Sequence, residues 1–242
     1  MALFLTVATL VAVHPLAAHA DDCGSNTSNQ FGWGSNFYPG SQPHTFYGSS
    51  WYITARRTDH VCTSVISSSN LSTSWNMIYA PQGAGAENYS QSGTMVRAGY
   101  SCTYSWAEQS LNGVFTDAYL ACLNDYEQHA YRNLTVTASS GGHRVAGSID
   151  GVSIMTSAFD PLTQWPTPRY LAWAGETRYA PTNVPGNSSS PTDLPGLGVQ
   201  ISSSGNPVDS CGNANLGQYT NGNAIRYNSD APACNHVRVW TR

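Results

Sequence analysis

Short strand-like runs recur along this chain at regular intervals, and no stretch sustains helical periodicity. The runs are Trp51–Arg56, Trp75–Ala80, Thr94–Tyr104, Asn133–Ala138, Arg144–Ile149, Val152–Thr156, Tyr170–Arg178, Gly198–Ser202 and His236–Trp240. Clusters of Gly, Pro, Asn and Ser separate them, and these residues punctuate β structure. Asp150-Gly151, between two of the runs, is a two-residue hairpin signal, because Gly readily supplies the positive φ of a type I′ turn. Asp117–Tyr131 is the best helix candidate. Pro185–Gly198, reading PGNSSSPTDLPGLG, is expected to be a long loop, and Gly24–Ser50 to wrap the surface. Many short strands with such turns predict an all-β chain, a two-sheet antiparallel β-sandwich or jelly roll.

The first twenty residues read as a secretory signal peptide. Leu3–Val13 is apolar, and Ala18-His19-Ala20 precedes Asp21-Asp22 as a small-residue cleavage site. The apolar run is shorter than the ~20 residues that span a bilayer, so no membrane partner is expected. Residues 21–242 are then expected to form a single secreted, extracellular domain, since no linker divides them. All six cysteines (Cys23, Cys62, Cys102, Cys122, Cys211, Cys234) lie in that part, an even count suited to about three disulfides. Sequential pairing would give Cys23–Cys62, Cys102–Cys122 and Cys211–Cys234. No CxxC pair exists and the histidines are scattered, so neither a metal nor another cofactor is indicated.

Charge narrows the chemistry further. Charged residues make up 10% of the chain, against about 25% in ordinary soluble domains. There is no lysine, so Schiff-base chemistry and a lysine base are excluded. A formal charge of −4 and no basic cluster beyond Arg56-Arg57 argue against nucleic acid. GxSxG, HExxH, EF-hand and phosphate-loop patterns are all absent. Five Asn-x-Ser/Thr triplets, at Asn26, Asn70, Asn88, Asn133 and Asn187, match the N-glycosylation pattern at a frequency expected by chance.

The stretch Tyr170–Tyr179, YLAWAGETRY, carries a carboxylate inside a strand pattern. Alternation puts Tyr170, Ala172, Ala174 and Glu176 on one face, and Leu171, Trp173, Gly175 and Thr177 on the other. A carboxylate on an Ala- and Tyr-lined face is costly to bury unless it is paired, protonated or used. Pairing with Arg178 or Arg169 is the bland alternative to a catalytic role.

The order of a TMVRAGY strand, a Tyr- and acid-rich segment, NLTVTAS, the IDGV hairpin, WAGET and a VPG turn resembles the β-sandwich superfamily of glutamic peptidases. That superfamily comprises the eqolisins and the neprosin-type domains. The resemblance covers roughly Thr94–Gln200. It implies a lectin-like sandwich whose concave face carries the site. It also implies a Glu acting as general base toward water, with a Gln holding that water and stabilising the oxyanion. Glu176 falls on the family glutamate. Where the eqolisin pattern has Gln two residues before Gly, the TMVRAGY strand has Arg97 before Ala98-Gly99. In a family-like sandwich Arg97 and Glu176 would face each other across neighbouring strands, and the guanidinium would weaken the carboxylate as a base.

Three functional readings follow. In the first, the catalytic pair is altered and the protein binds an extracellular glycan or peptide, with Tyr104, Trp106 and Trp173 as aromatic contacts. The second is an acid endopeptidase with Glu176 as base and Arg97 or Gln91 as its partner. The third is a glycan-cleaving enzyme. It would need a second acid within roughly 5–10 Å of Glu176, supplied by Asp117, Asp125 or Glu127.

Overall fold

The computed structural model describes residues 30–38, 45–54, 71–82, 86–97, 102–124, 126–178, 186–187, 190–213, 215–221, 225–227 and 236–241. In chain order the strands are β1 (Gln30–Tyr38), β2 (Gly48–Thr54), β3 (Leu71–Gln82), β4 (Ala86–Arg97), β5 (Thr103–Leu111), β6 (Val114–Leu123), β7 (Gln128–Thr137), β8 (His143–Ile149) and β9 (Val152–Thr156). After the one-turn helix α1 (Pro161–Gln164) come β10 (Tyr170–Arg178), β11 (Gly186–Asn187), β12 (Ser190–Pro195), β13 (Gly198–Gln200), β14 (Val208–Asp209), β15 (Asn215–Asn221), β16 (Ile225–Tyr227) and β17 (His236–Thr241).

Two large antiparallel sheets pack as a sandwich. The seven-stranded sheet has the order β15-β1-β10-β3-β4-β5-β6, and the six-stranded sheet β14-β13-β2-β7-β8-β9. A smaller sheet, β11-β12-β17-β16, adds to them. The expected sandwich is present, and β3 to β6 and β7 to β9 run as meanders within it. The Asp150-Gly151 hairpin forms as expected, with φ of 49° and 82°. Asn112-Gly113 makes a second turn of the same kind, with φ of 53° and 79°, joining β5 to β6. That turn folds the chain back as strand over Val114–Leu123, and β7 follows from Gln128. The expected helix at Asp117–Tyr131 is therefore strand on both sides of a short turn. Pro185–Gly198 likewise carries β11 and β12 in place of an uninterrupted loop, and β1 lies within the stretch expected to wrap the surface.

Burial follows the pairing. On β7, Tyr131, Asn133 and Thr135 alternate inward, and on β8 Val145, Gly147 and Ile149 do the same. Trp51 and Ile53 of β2 lie beside them on the same sheet, and Trp173, Leu171 and Ile78 come from the facing one, each at most 1% exposed. One part of this interior is polar. Asn133 Nδ2 donates to Asn76 Oδ1 (2.6 Å) and to Ser92 Oγ (2.9 Å), while Ser90 Oγ donates to Asn133 Oδ1 (3.0 Å). Ser49 Oγ donates to Asn76 Oδ1 (2.7 Å), and Gln109 Nε2 reaches Ser90 Oγ and the Val145 carbonyl. Buried polar groups are tolerated when each finds a partner, and such networks fix the register of the elements that carry them.

Burial and hydrogen bonding exclude two of the glycosylation triplets. Asn133 and Asn88 are both fully buried, and Asn88 accepts the backbone N–H of Asn112. The expected signal segment, Asn26 and Asn70 lie outside the described residues. Cys102 and Cys122 are joined as expected, and Cys211 is also disulfide-bonded. Cys23, Cys62 and Cys234 lie outside the described residues.

Candidate active site

Cross-strand pairing sorts the seven-stranded sheet into two faces. Trp173, Asn76, Ser92 and Ala107 form one row across β10, β3, β4 and β5, and this row faces the second sheet. The neighbouring rows therefore face away from it: Ala172–Met77–Gln91–Glu108–Asp117, Ala174–Trp75–Gly93–Trp106–Tyr119 and Glu176–Thr73–Met95–Tyr104. Along the central strands β3, β4 and β10 this outer face is buried as thoroughly as the inner one. Such a face can hold a carboxylate and an amide away from bulk water.

Glu176 sits on this outer face at 9% exposure. Trp75, one step diagonally along β3, donates its indole N–H to Glu176 Oε2 at 3.1 Å. The bond fixes the carboxylate. Thr73 is the direct partner of Glu176, and its buried hydroxyl has no hydrogen-bond partner. A buried hydroxyl beside a carboxylate is a natural anchor for a water molecule.

A second polar cluster on this face is on β4 and β5. Gln91 lies diagonally beyond Trp75, 7% exposed, and donates Nε2–H to Glu108 Oε1 at 2.9 Å. Tyr89 Oη donates to the same carboxylate oxygen. Gly93, two residues after Gln91, pairs with Trp75 on one side and Trp106 on the other. A Cβ there would lie 1.9 Å from the Ser74 carbonyl oxygen, so only glycine fits against the β3 backbone.

The register revises several expectations. Arg97 and Glu176 do not sit on neighbouring strands, because β3 runs between β4 and β10. Arg97 pairs with Leu71, two positions from the Glu176 row on the side opposite Gln91, and its side chain lies outside the described residues. Trp173 points into the inter-sheet core at 0% exposure, its indole N–H directed to the Ser50 carbonyl, which removes it from any ligand surface. Trp106 shares the Glu176 face but is buried, 4% exposed, and Tyr104 is half-buried on that face. Arg169 does not pair with Glu176: it lies seven positions earlier, bonded to the Phe46 and Pro161 carbonyls and stacked on Tyr47. Burial holds its guanidinium below the ordinary arginine value, against the favourable Tyr47 contact.

The carboxylates proposed for glycan cleavage are displaced from Glu176. Asp117 is four strand spacings and four residues along from Glu176, about 23 Å at the backbone. Glu127 lies in the β6–β7 turn, 3.6 Å from His129 Nε2. Asp125 lies outside the described residues. Gln91 also stands two residues before a glycine, Gly93, but it lies four residues along from the Glu176 row with β3 between, about 16 Å from Glu176 at the backbone. Glu108 carried no sequence signal of its own, and only the pairing of β4 with β5 brings it to Gln91.

No protein-family model and no curated protein sequence matches this chain. Solved structures do. Scytalido-glutamic peptidase with a transition state analog inhibitor superposes with a TM-score of 0.55 at 14% identity, covering 89% of this chain and 100% of that one. The same peptidase with a peptide-based transition state analog gives 0.52 at 13% identity over the same shares. SCP-B, a member of the eqolisin family of peptidases in complex with the tripeptide Ala-Ile-His, gives 0.51 at 13% identity, again with 89% and 100% coverage. The chain therefore has a glutamic-peptidase-like fold.

Proposed function

We propose that this protein is a secreted acid endopeptidase in which Glu176 is the general base. The observation that carries the reading is the buried carboxylate itself: Glu176, 9% exposed on the outer face of the seven-stranded sheet, held by the Trp75 indole beside the buried Thr73 hydroxyl. In the reaction Glu176 takes a proton from a water whose oxygen attacks the scissile carbonyl carbon. Glu176 then returns the proton to the departing nitrogen as the C–N bond breaks and the carbonyl re-forms. Both steps need only a positioned carboxylate. The peptide-like ligands in the solved structures of this fold support a peptide as substrate. The Cys102–Cys122 disulfide supports an oxidising, extracytoplasmic location.

The glycan-binding alternative draws less support. Of its three aromatic residues, Trp173 is internal and Trp106 buried, so Tyr104 alone offers ring surface. The test is cleavage of a denatured protein substrate across about pH 2–7 by the wild type and Glu176→Gln. Activity confined to acid should fall by at least about 10²-fold in the variant. Cleavage that survives Glu176→Gln, or a folded wild type inactive at every pH, refutes the assignment.

A further inference from the structure

We infer that the Thr73 hydroxyl holds the water that Glu176 activates. This rests on the peptidase reading above. Thr73 stands directly opposite Glu176 across β3 and β10, on the same face of the sheet. Directly paired residues of an antiparallel ladder have Cβ atoms about 4.5–5.5 Å apart. Thr73 is 3% exposed, yet its Oγ1 has no hydrogen-bond partner within the protein. Glu176 is the acceptor set across from it, and that direct bond is not made. A buried hydroxyl in that position is costly, and whatever satisfies it must be small and polar.

The surroundings fix which way such a molecule faces. On its other side Thr73 pairs with Met95, which is buried and apolar, and whose thioether is only a weak acceptor. Trp75, two residues along the same face, commits its single N–H to Glu176 Oε2. The polar partner for a molecule on Thr73 is therefore the Glu176 carboxylate. A carboxylate presents about four lone-pair sites, so it accepts a water's hydrogen besides the indole N–H. A water between the two donates one hydrogen to Glu176 and the other to Thr73 Oγ1. Its lone pairs then point away from the ladder, toward a substrate on the outer face. Glu176 takes the first hydrogen as the water oxygen bonds the scissile carbon. The second stays on the new hydroxyl, still held by Thr73, which itself exchanges no proton. The β-branch restricts χ1, so the hydroxyl that aims the water has few positions open to it.

Thr73→Val keeps the branched shape and replaces the hydroxyl with a methyl group. Steady-state kinetics at acid pH should show kcat reduced about tenfold or more with KM within about twofold, roughly 1.4 kcal/mol of lost transition-state stabilisation. Thr73→Ser, which keeps the hydroxyl, should retain most of the wild-type kcat. A threonine that serves packing alone would leave kcat unchanged in Thr73→Val. That result in a folded variant, or a Thr73→Ser as slow as Thr73→Val, overturns the inference.

A second measurement does not depend on turnover. A crystal structure of the wild type at acid pH should show an ordered water within about 3 Å of both Thr73 Oγ1 and the Glu176 carboxylate. The same water should be lost in Thr73→Val; should that variant not fold, the wild-type structure decides. Should the protein cleave nothing at any pH, the peptidase reading fails and the crystal structures decide the water site alone. Thr73 Oγ1 bonded directly to Glu176, or no water between them, overturns it.

Discussion

Asn133→Ala should be among the most damaging single substitutions in this chain. The residue is fully buried, and its side chain makes three side-chain to side-chain bonds, to Asn76, Ser92 and Ser90, besides a contact with the Asn76 carbonyl. Alanine would remove all of them at once and leave Asn76 Oδ1 and Ser92 Oγ each short of a buried partner. At about 1 kcal/mol for each of three net hydrogen bonds and about 1 kcal/mol for the cavity, the loss is about 4 kcal/mol. For a domain of this size each kcal/mol moves Tm by about 2–4 °C, so the midpoint should fall by about 8–16 °C. Thermal unfolding followed by near-ultraviolet circular dichroism, with disulfides intact, measures it directly.

The same substitution reaches the site from behind. Asn76 lies between Trp75 and Met77, so Asn133 anchors from the inner face the strand segment that carries Trp75, the indole that holds Glu176. Asn133→Ala should therefore lower kcat at temperatures where the protein is still folded. A midpoint shift below about 3 °C, with kcat unchanged, would refute the claim that the network holds these strands in register.

Two further outcomes follow from single positions. Gly93→Ala would place a methyl group 1.9 Å from the Ser74 carbonyl oxygen, so the variant should be destabilised by at least about 2–3 kcal/mol in denaturant titration and lose activity together with stability. Asp160 caps α1, accepting the backbone N–H groups of Leu162 and His143, each at 2.8 Å. Burial pushes its carboxyl up, but those bonds and the charges of His143 and Arg144 outweigh it and hold it below the usual aspartate value. A depressed folded-state pKa contributes stability that is complete above about pH 4 and lost as pH falls through the folded value. Unfolding free energy measured from pH 6 to pH 2 should therefore decline less steeply in Asp160→Asn, and equal slopes would show that Asp160 carries no such coupling.

The strands that could be read from sequence are those whose pattern is local. Val152–Thr156 and Tyr170–Arg178 were legible to the residue, the first because Asp150-Gly151 sets its start and the second because its alternation is uninterrupted. The β5–β6 hairpin carries an equally local signal in Asn112-Gly113, and a reading that starts at Asp117 passes over it. β1 and β15 gave little signal, because Gly, Asn and Ser weaken any period, and their pairing with β10 and with each other is long-range. Glu176 stood out because a carboxylate within an otherwise apolar strand is costly. Trp173 was misjudged because alternation says which residues share a face and does not say which face meets the second sheet.

The partner of Glu176 shows most clearly where local reading stops. Arg97 and Gln91 stand on one strand, six residues apart, and both precede a glycine by two positions. Period two puts them on the same face as each other, so alternation cannot choose between them. The register separates them. Glu176 stands opposite Thr73 and, beyond it, Met95, so Arg97 is two residues from the Glu176 row and Gln91 four, about 12 Å and about 16 Å from Glu176 at the backbone. The Gln91 amide is also turned to Glu108 on the far side of β4. A side chain can share the chemistry of Glu176 only where the register brings it to a neighbouring row, and that register is set by long-range pairings that no local pattern contains.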